Sequence, residues 1–133
     1  MPGFPVVTGD ASCPCGSGET YDGCCAPALR GTPPATAEAL MRSRYTAFVV
    51  GDGAYLRGTW HPGTRPDDVD PDPALRWTGL SILGTREGMP GDTRGRVEFR
   101  ARYRAGRERG ELHEDSRFVW QSGRWWYLDG VIG

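Results

Sequence analysis

Residues 37–51, AEALMRSRYTAFVVG, place apolar side chains at the spacing of one helix face. The positions are Ala37, Leu40, Met41, Tyr45, Phe48 and Val49, and Gly51 follows as a stop signal. The pattern predicts an amphipathic helix of about four turns. Upstream, residues 26–35 predict a short linker into this helix. Thr32 is the expected N-cap, because prolines are tolerated in a first helical turn.

The segments after Gly51 predict a second helix and then a sheet. Asp52 can cap a shorter helix that ends near Trp60, because Pro62 forces His61 out of helical geometry. The two helices should form a hairpin. Residues 63–74 are polar and proline-rich and predict a loop. Residues 77–84, 94–103, 112–120 and 124–131 then alternate as strands do, with glycine-containing turns between them. Helices followed by an antiparallel meander predict an α+β domain in which a curved sheet wraps around the long helix.

The composition limits the class of protein. The chain has 133 residues, 38% of them hydrophobic, and a net charge of −1, which suits one sizeable domain and disfavours nonspecific nucleic-acid binding. The first ten residues lack the basic start and apolar run of a secretory signal, and no segment has membrane-spanning length. We therefore expect a cytoplasmic protein with no membrane span.

Four cysteines lie close together near the N-terminus, at Cys13, Cys15, Cys24 and Cys25. A disulfide within either pair would be strained, and cross-pairing would need an oxidising compartment. Structural Zn²⁺ prefers four soft ligands in a closed tetrahedron, which leaves no position for a catalytic water. The spacing favours one structural Zn²⁺, and the alternatives are disulfide or redox chemistry, a different metal, or a site without metal. Glu19 to Gly23 are expected to form one helical turn that delivers the second pair.

Two resemblances make this interpretation more specific. The run C-P-C-G-S-G-x-x-Y-x-x-C-C resembles the SEC-C motif of the SecA translocation motor and many small bacterial proteins, which implies that the four cysteines bind zinc. It also implies docking to a partner, although Glu19 and Asp22 stand where the motif commonly carries lysines. Residues 40–48, 52–56, 59–62, 114–118 and 123–130 look like the YchJ family. That resemblance implies a SEC-C knuckle and linker over residues 1–31 and an NTF2-like (cystatin-like) cone over residues 32–133.

NTF2-like cones often hold a pocket between the long helix and the sheet. Strand alternation places Leu112, Glu114, Ser116 and Phe118 on the inward face, so Glu114 is a carboxylate directed at the core. A buried carboxylate must be paired, protonated or used, and a structural ion pair with Arg42 or Arg44 is the favoured outcome. Acid/base candidates are His61, Glu114 and Asp129. The other ligand-pocket candidates are Tyr45, Trp60, Trp77, Ser116, Trp126 and Tyr127.

The favoured function is a non-enzymatic binding or adaptor protein. In this interpretation the knuckle docks an unidentified protein partner, while the NTF2-like domain forms a homodimer or holds a small-molecule ligand. The alternative is an enzyme acting on a small molecule, with His61, Glu114 or Asp129 as acid/base. No serine motif or free cysteine nucleophile accompanies the two histidines.

Overall fold

The long helix begins later than the sequence predicted. In the computed structural model, which describes residues 3–133, helix α2 spans Ala37–Val50. Its N-cap is Thr36, whose hydroxyl accepts a hydrogen bond from the N–H of Ala39 at 3.0 Å. Thr32 is not the cap, because each residue before a proline is disfavoured in helical geometry and Pro33 and Pro34 follow it directly. Gly51 ends the helix as predicted, in a left-handed conformation with φ of 77°.

Two short helices flank α2. Helix α1, Ala26–Leu29, lies in the segment predicted as linker, and it follows a turn at residues 22–25. The turn expected at residues 19–23 therefore lies further along the chain. Helix α3 spans Gly53–Thr59, and its N-cap is Asp52, as predicted, with a 3.0 Å bond from the N–H of Tyr55. Met1 and Pro2, at the start of the predicted knuckle segment, lie outside the described residues.

The sheet is the predicted antiparallel meander, with strand order β1-β2-β3-β4. The strands span Leu75–Glu87, Arg94–Ala105, Glu108–Gln121 and Arg124–Ile132, so each extends beyond its predicted limits. Irregularities in register interrupt β1 after Trp77 and after Ile82, and a third separates Arg117 from Phe118 in the β3–β4 pair. Such bulges bend strands and increase their twist. The α+β fold is thus confirmed.

The core lies between α2 and one face of this sheet. Leu40, Val97, Phe118 and Trp125 are fully buried there. The indole N–H of Trp125 donates to the backbone carbonyl of Ala35 at 3.1 Å, which fixes the entry to α2 against strand β4. Within residues 3–133, no helix combines the length and apolar character needed to cross a membrane.

Candidate functional site

The four cysteines converge on one point. Their Sγ atoms all lie within 4.8 Å of one another, and the Sγ atoms of Cys15 and Cys24 are 3.5 Å apart. The backbone achieves this with a short antiparallel bridge between Ser12 and Thr20, followed by the turn into α1. Gly16 and Gly18 both have positive φ, 76° and 89°, in the loop that reverses the chain between the first and second cysteine pairs.

The separations fit a tetrahedral tetrathiolate metal site. Zn–S bonds of about 2.3 Å in a tetrahedron place sulfur atoms about 3.8 Å apart. The two adjacent thiols, Cys24 and Cys25, are 3.9 Å apart and Cys15 and Cys24 are 3.5 Å apart, whereas a disulfide joins its sulfurs at about 2 Å. All four cysteines are free thiols. The donor set is soft, closed and complete, so the residues fit Zn²⁺ or another thiophilic divalent ion.

The four thiols differ in how readily they ionise. The pKa of Cys15 is lowered because the thiols of Cys13 and Cys25 hydrogen-bond to its thiolate. The pKa of Cys25 is raised, because it is within hydrogen-bonding reach of Cys13 and Cys15 and is itself buried. Burial likewise raises the pKa of Cys24 to about 11. Four adjacent thiols therefore cannot all ionise alone, and a bound divalent cation would supply the missing charge.

The cysteine cluster is packed onto the domain. Cys13, Cys15 and Cys25 are buried, while Cys24 is only partly covered. From α2, the guanidinium of Arg42 donates to the backbone carbonyl of Cys15 at 2.9 Å. Ser17 places its hydroxyl 3.2 Å from the Sγ of Cys24, where it can donate to a metal-bound thiolate. The cluster thus has both an inner wall on α2 and an outer, partly exposed side.

A second concave site lies between α2 and the sheet. It is a cavity of about 150 Å³ with mainly apolar walls. Five of the predicted pocket residues line it: Tyr45, Trp60, Trp77, Glu114 and Tyr127. The remaining lining residues are Met41, Arg44, Phe48, Phe99, Ala101 and Leu112.

Arg44 is the unexpected member of this cavity. It is buried, with 4% of its surface exposed, and lies over the rings of Tyr127 and Trp60 at 4.4 and 5.2 Å. Its Nη1 donates to the carbonyl of Leu56 at 2.9 Å and to the hydroxyl of Thr59 at 2.6 Å. Burial lowers the pKa of Arg44 to about 10.

Glu114 faces inward as predicted, but its partners are not arginines. It accepts hydrogen bonds from the hydroxyls of Ser116 and Tyr127, the latter at 3.0 Å. The predicted ion pair is therefore wrong over the described residues. Arg42 pairs instead with Glu38 at 3.0 Å, because those residues are one helical turn apart on α2. The second candidate, Arg44, bonds to groups of α3.

The other four predicted pocket residues do not line this cavity. His61 uses both ring nitrogens away from the cavity, with Nε2 2.6 Å from Oε1 of Gln121 and Nδ1 accepting from the N–H of Gly63 at 3.0 Å. Its ring packs against Trp126, whose indole N–H donates to the carbonyl of Gln121 at 2.9 Å. Neither residue lines the cavity that contains Glu114.

Asp129 lies on the outer face of the sheet because of the bulge in the β3–β4 pair. Phe118 faces Tyr127, whereas Arg117 faces Asp129, so Leu128 is the extra residue. That insertion reverses the alternation. Asp129 then pairs with Arg117, Oδ1 to Nε at 2.6 Å, and this hydrogen bond lowers the pKa of the carboxyl. Ser116, also a predicted pocket residue, is fully buried behind Glu114.

The fold and the site together define a small α+β protein of the SEC-C type, with an open four-stranded sheet and an N-terminal cysteine knuckle. Residues 36–130 match the family model described as YchJ, middle NTF2-like domain. The chain therefore belongs to the YchJ family.

Known relatives align with nearly the whole length of this chain. A UPF0225 protein of Streptomyces coelicolor is 56% identical, over 89% of this chain and 93% of its own. Another from Cupriavidus metallidurans is 48% identical, over 94% and 92%. The solution structure of a SEC-C motif containing protein from Rhodopseudomonas palustris shares a TM-score of 0.77 at 39% identity, covering 90% of this chain and 96% of that one.

Proposed function

We propose that this chain is a non-enzymatic zinc protein, in which one structural Zn²⁺ bound by Cys13, Cys15, Cys24 and Cys25 holds the knuckle against α2. The observation that carries this is the convergence of four reduced thiols within 4.8 Å. Four sulfur ligands close the coordination shell, so the metal has no open position for water or substrate. Free thiols also require a reducing compartment, and we infer the cytoplasm.

The outer side of the knuckle is the proposed docking surface for a protein partner. Residues 16–20 are exposed, and Cys24 is the least buried ligand. Glu19 and Asp22 make this surface acidic, although Asp22 already pairs with Arg30 at 3.3 Å. A basic partner surface is the complementary chemistry. The metal supports docking by fixing the loop between the cysteine pairs. A loop that is already ordered does not lose conformational entropy when the partner binds.

The enzyme alternative receives little support from the geometry. Of its acid/base candidates only Glu114 lines the cavity, and both nitrogens of His61 are engaged outside it. Asp129 is bound to Arg117 on the opposite face of the sheet. The homodimer stays a prediction.

The test begins with metal content. Protein purified without added metal should contain one Zn²⁺ per chain, and Co²⁺ substitution should give the visible absorption of a tetrahedral tetrathiolate. Cys24→Ser should lower metal affinity strongly while Ser17→Ala lowers it about tenfold, as loss of an outer hydrogen bond does. Purified intact protein without any zinc would contradict the proposal.

Docking is tested separately with a photo-crosslinking residue at position 19, on the knuckle, and a matched one at position 94, at the start of β2. We expect crosslinks to a discrete partner from position 19 alone, and their loss in the Cys24→Ser background. Equal crosslinking from both positions would contradict a knuckle-directed partner while leaving the metal assignment intact.

A further inference from the structure

Two polar side chains that line the cavity between α2 and the sheet, those of Trp60 and Arg44, have hydrogen-bond donors without a partner shown in the described residues. Trp60 lines this cavity, and its indole Nε1 is buried, yet this atom has no hydrogen-bond partner within the described part of the chain. Buried N–H groups are nearly always paired, because an unpaired one loses its hydration without compensation. An acceptor is therefore missing at this position.

Arg44 is the second such group. It is 4% exposed, and no carboxylate of residues 3–133 lies within ion-pair distance of it. Both of its hydrogen bonds leave from Nη1 and go to neutral oxygens, on Leu56 and Thr59. A guanidinium has five N–H donors in a planar fork, and buried charges are normally paired. No anion within the described residues hydrogen-bonds to this cation.

Glu114 does not supply such an anion. Its Oε2 is held by Ser116 and Tyr127, and the ring of Tyr127 itself lies against the Arg44 guanidinium, with 4.4 Å from Cζ to the ring centroid. Within the described residues Glu114 makes neither a hydrogen bond nor an ion pair with Arg44, although its charge favours the Arg44 cation from a distance. Glu114 sits with its hydroxyl donors on the strand side, whereas Arg44 and Trp60 come from α2 and from the end of α3.

We propose that this cavity binds a small, mainly apolar carboxylate, whose oxygens accept from the Arg44 guanidinium and the Trp60 indole N–H. The remaining walls are apolar and aromatic, contributed by Met41, Phe48, Trp77, Phe99, Ala101 and Leu112. The volume of about 150 Å³ suits a body of benzene size, since dry cavities of that volume hold benzene. Phe48 and Trp77 are only partly buried, which leaves that wall within reach of solvent. This inference is independent of the proposed metal and docking function.

The test uses benzoate, phenylacetate and isovalerate as carboxylate probes, with toluene and benzylamine as neutral and cationic counterparts. Binding to the full-length, metal-loaded protein is followed by the ¹⁵N–¹H indole resonances. Trp125 and Trp126 are internal controls, because their N–H groups already donate to Ala35 and Gln121. At least one carboxylate should shift the Trp60 indole selectively, and toluene should bind about tenfold or more weakly.

Variants separate the contributions of charge and volume. Ala101→Leu fills the cavity and should abolish binding of every probe. Trp60→Phe removes only the N–H and should weaken the carboxylate several-fold while leaving toluene unchanged, with Trp126→Phe as its matched control. Arg44→Met should remove the carboxylate preference if the variant folds. Toluene or benzylamine binding as tightly as the carboxylates, or no selective shift of Trp60 with any of the three acids, would overturn the proposal.

Discussion

The carboxylate of Glu114 lies directly against the backbone of Gly130 on the neighbouring strand, and a methyl group at that position would overlap it. Gly130 faces Ser116 in the β3–β4 register, and Ser116 also bonds to Glu114. The absence of a side chain at Gly130 is thus what gives this carboxylate its place beside Tyr127. Gly130 therefore positions Glu114 although it has no side chain.

Gly130→Ala should therefore displace Glu114 from Ser116 and Tyr127. We expect a loss of about 1–3 kcal/mol in the free energy of unfolding, because a partly buried carboxylate loses its donors. Gly84→Ala is the matched control, since Gly84 is also a strand glycine with no atom within 4 Å of its added Cβ. The free energy of unfolding of Gly84→Ala should stay within about 0.5 kcal/mol of that of the parent protein. Equal urea-unfolding midpoints for the two variants would contradict this account.

The β3–β4 pair shows which side-chain positions could be predicted from the sequence and which could not. Alternation placed Glu114 and Ser116 inward correctly, because β3 has a regular register with β2 throughout. Asp129 was only a pocket candidate, and the structure places it on the outer face because the extra residue Leu128 reverses the faces of β4; nothing in the local pattern marks a bulge there. Arg44 was expected to seek a carboxylate, but its position above Tyr127 depends on tertiary packing between α2, α3 and β4.

The cysteine cluster was more predictable, since its geometry is local. The spacing and the glycines between the pairs sufficed to place four thiols together, and the structure does so within 4.8 Å. What the spacing did not indicate is the depth at which the cluster sits. Cys15 is completely buried, and its backbone carbonyl is held by a side chain of α2, Arg42, 27 positions away.

That contact leads to a second prediction. Arg42→Met removes the donor to the carbonyl of Cys15 and should cost about 1–2 kcal/mol of stability, because that part-buried acceptor is left unpaired. Metal retention against a chelator should also fall several-fold, since the knuckle loses its attachment to α2. Glu38→Gln breaks the ion pair with Arg42 but keeps the bond to Cys15, and should change stability by less than about 1 kcal/mol. If the two variants lose metal at the same rate, the attachment does not depend on Arg42.

A third prediction concerns alkaline pH. Burial raises the pKa of Tyr45 to about 12, and it raises the pKa of Tyr55 and Tyr127 as well. The unfolded chain releases these protons near pH 10 while the folded chain keeps them, so stability present below pH 10 is lost as the pH rises toward 12. Arg44 has the opposite sign, because its folded pKa is lowered to about 10.

Three tyrosines outweigh one arginine, so we expect the free energy of unfolding to fall between pH 10 and 12, by up to about 1.4 kcal/mol per pH unit for each tyrosine. Urea unfolding at pH 8, 10 and 11 measures this slope. Tyr45→Phe should flatten it without a large change at pH 8. A slope that Tyr45→Phe leaves unaltered would assign the loss to other groups.

The last prediction concerns a row of arginines on the outer face of the sheet. Arg104 on β2 lies directly opposite Arg76 on β1 and Arg109 on β3, and all three are exposed. Like charges directly opposite in a sheet destabilise it. Arg104→Thr should therefore raise the free energy of unfolding by about 0.5 kcal/mol at low salt, and the gain should shrink at high salt because the repulsion is screened. The matched control is Arg100→Thr on the same strand, because Arg100 lies 3.8 Å from Glu111 and should lose rather than gain stability. Thermal unfolding of both variants at two salt concentrations measures the effect. If the gain for Arg104→Thr does not depend on salt, the threonine side chain stabilises the strand and relief of charge repulsion does not.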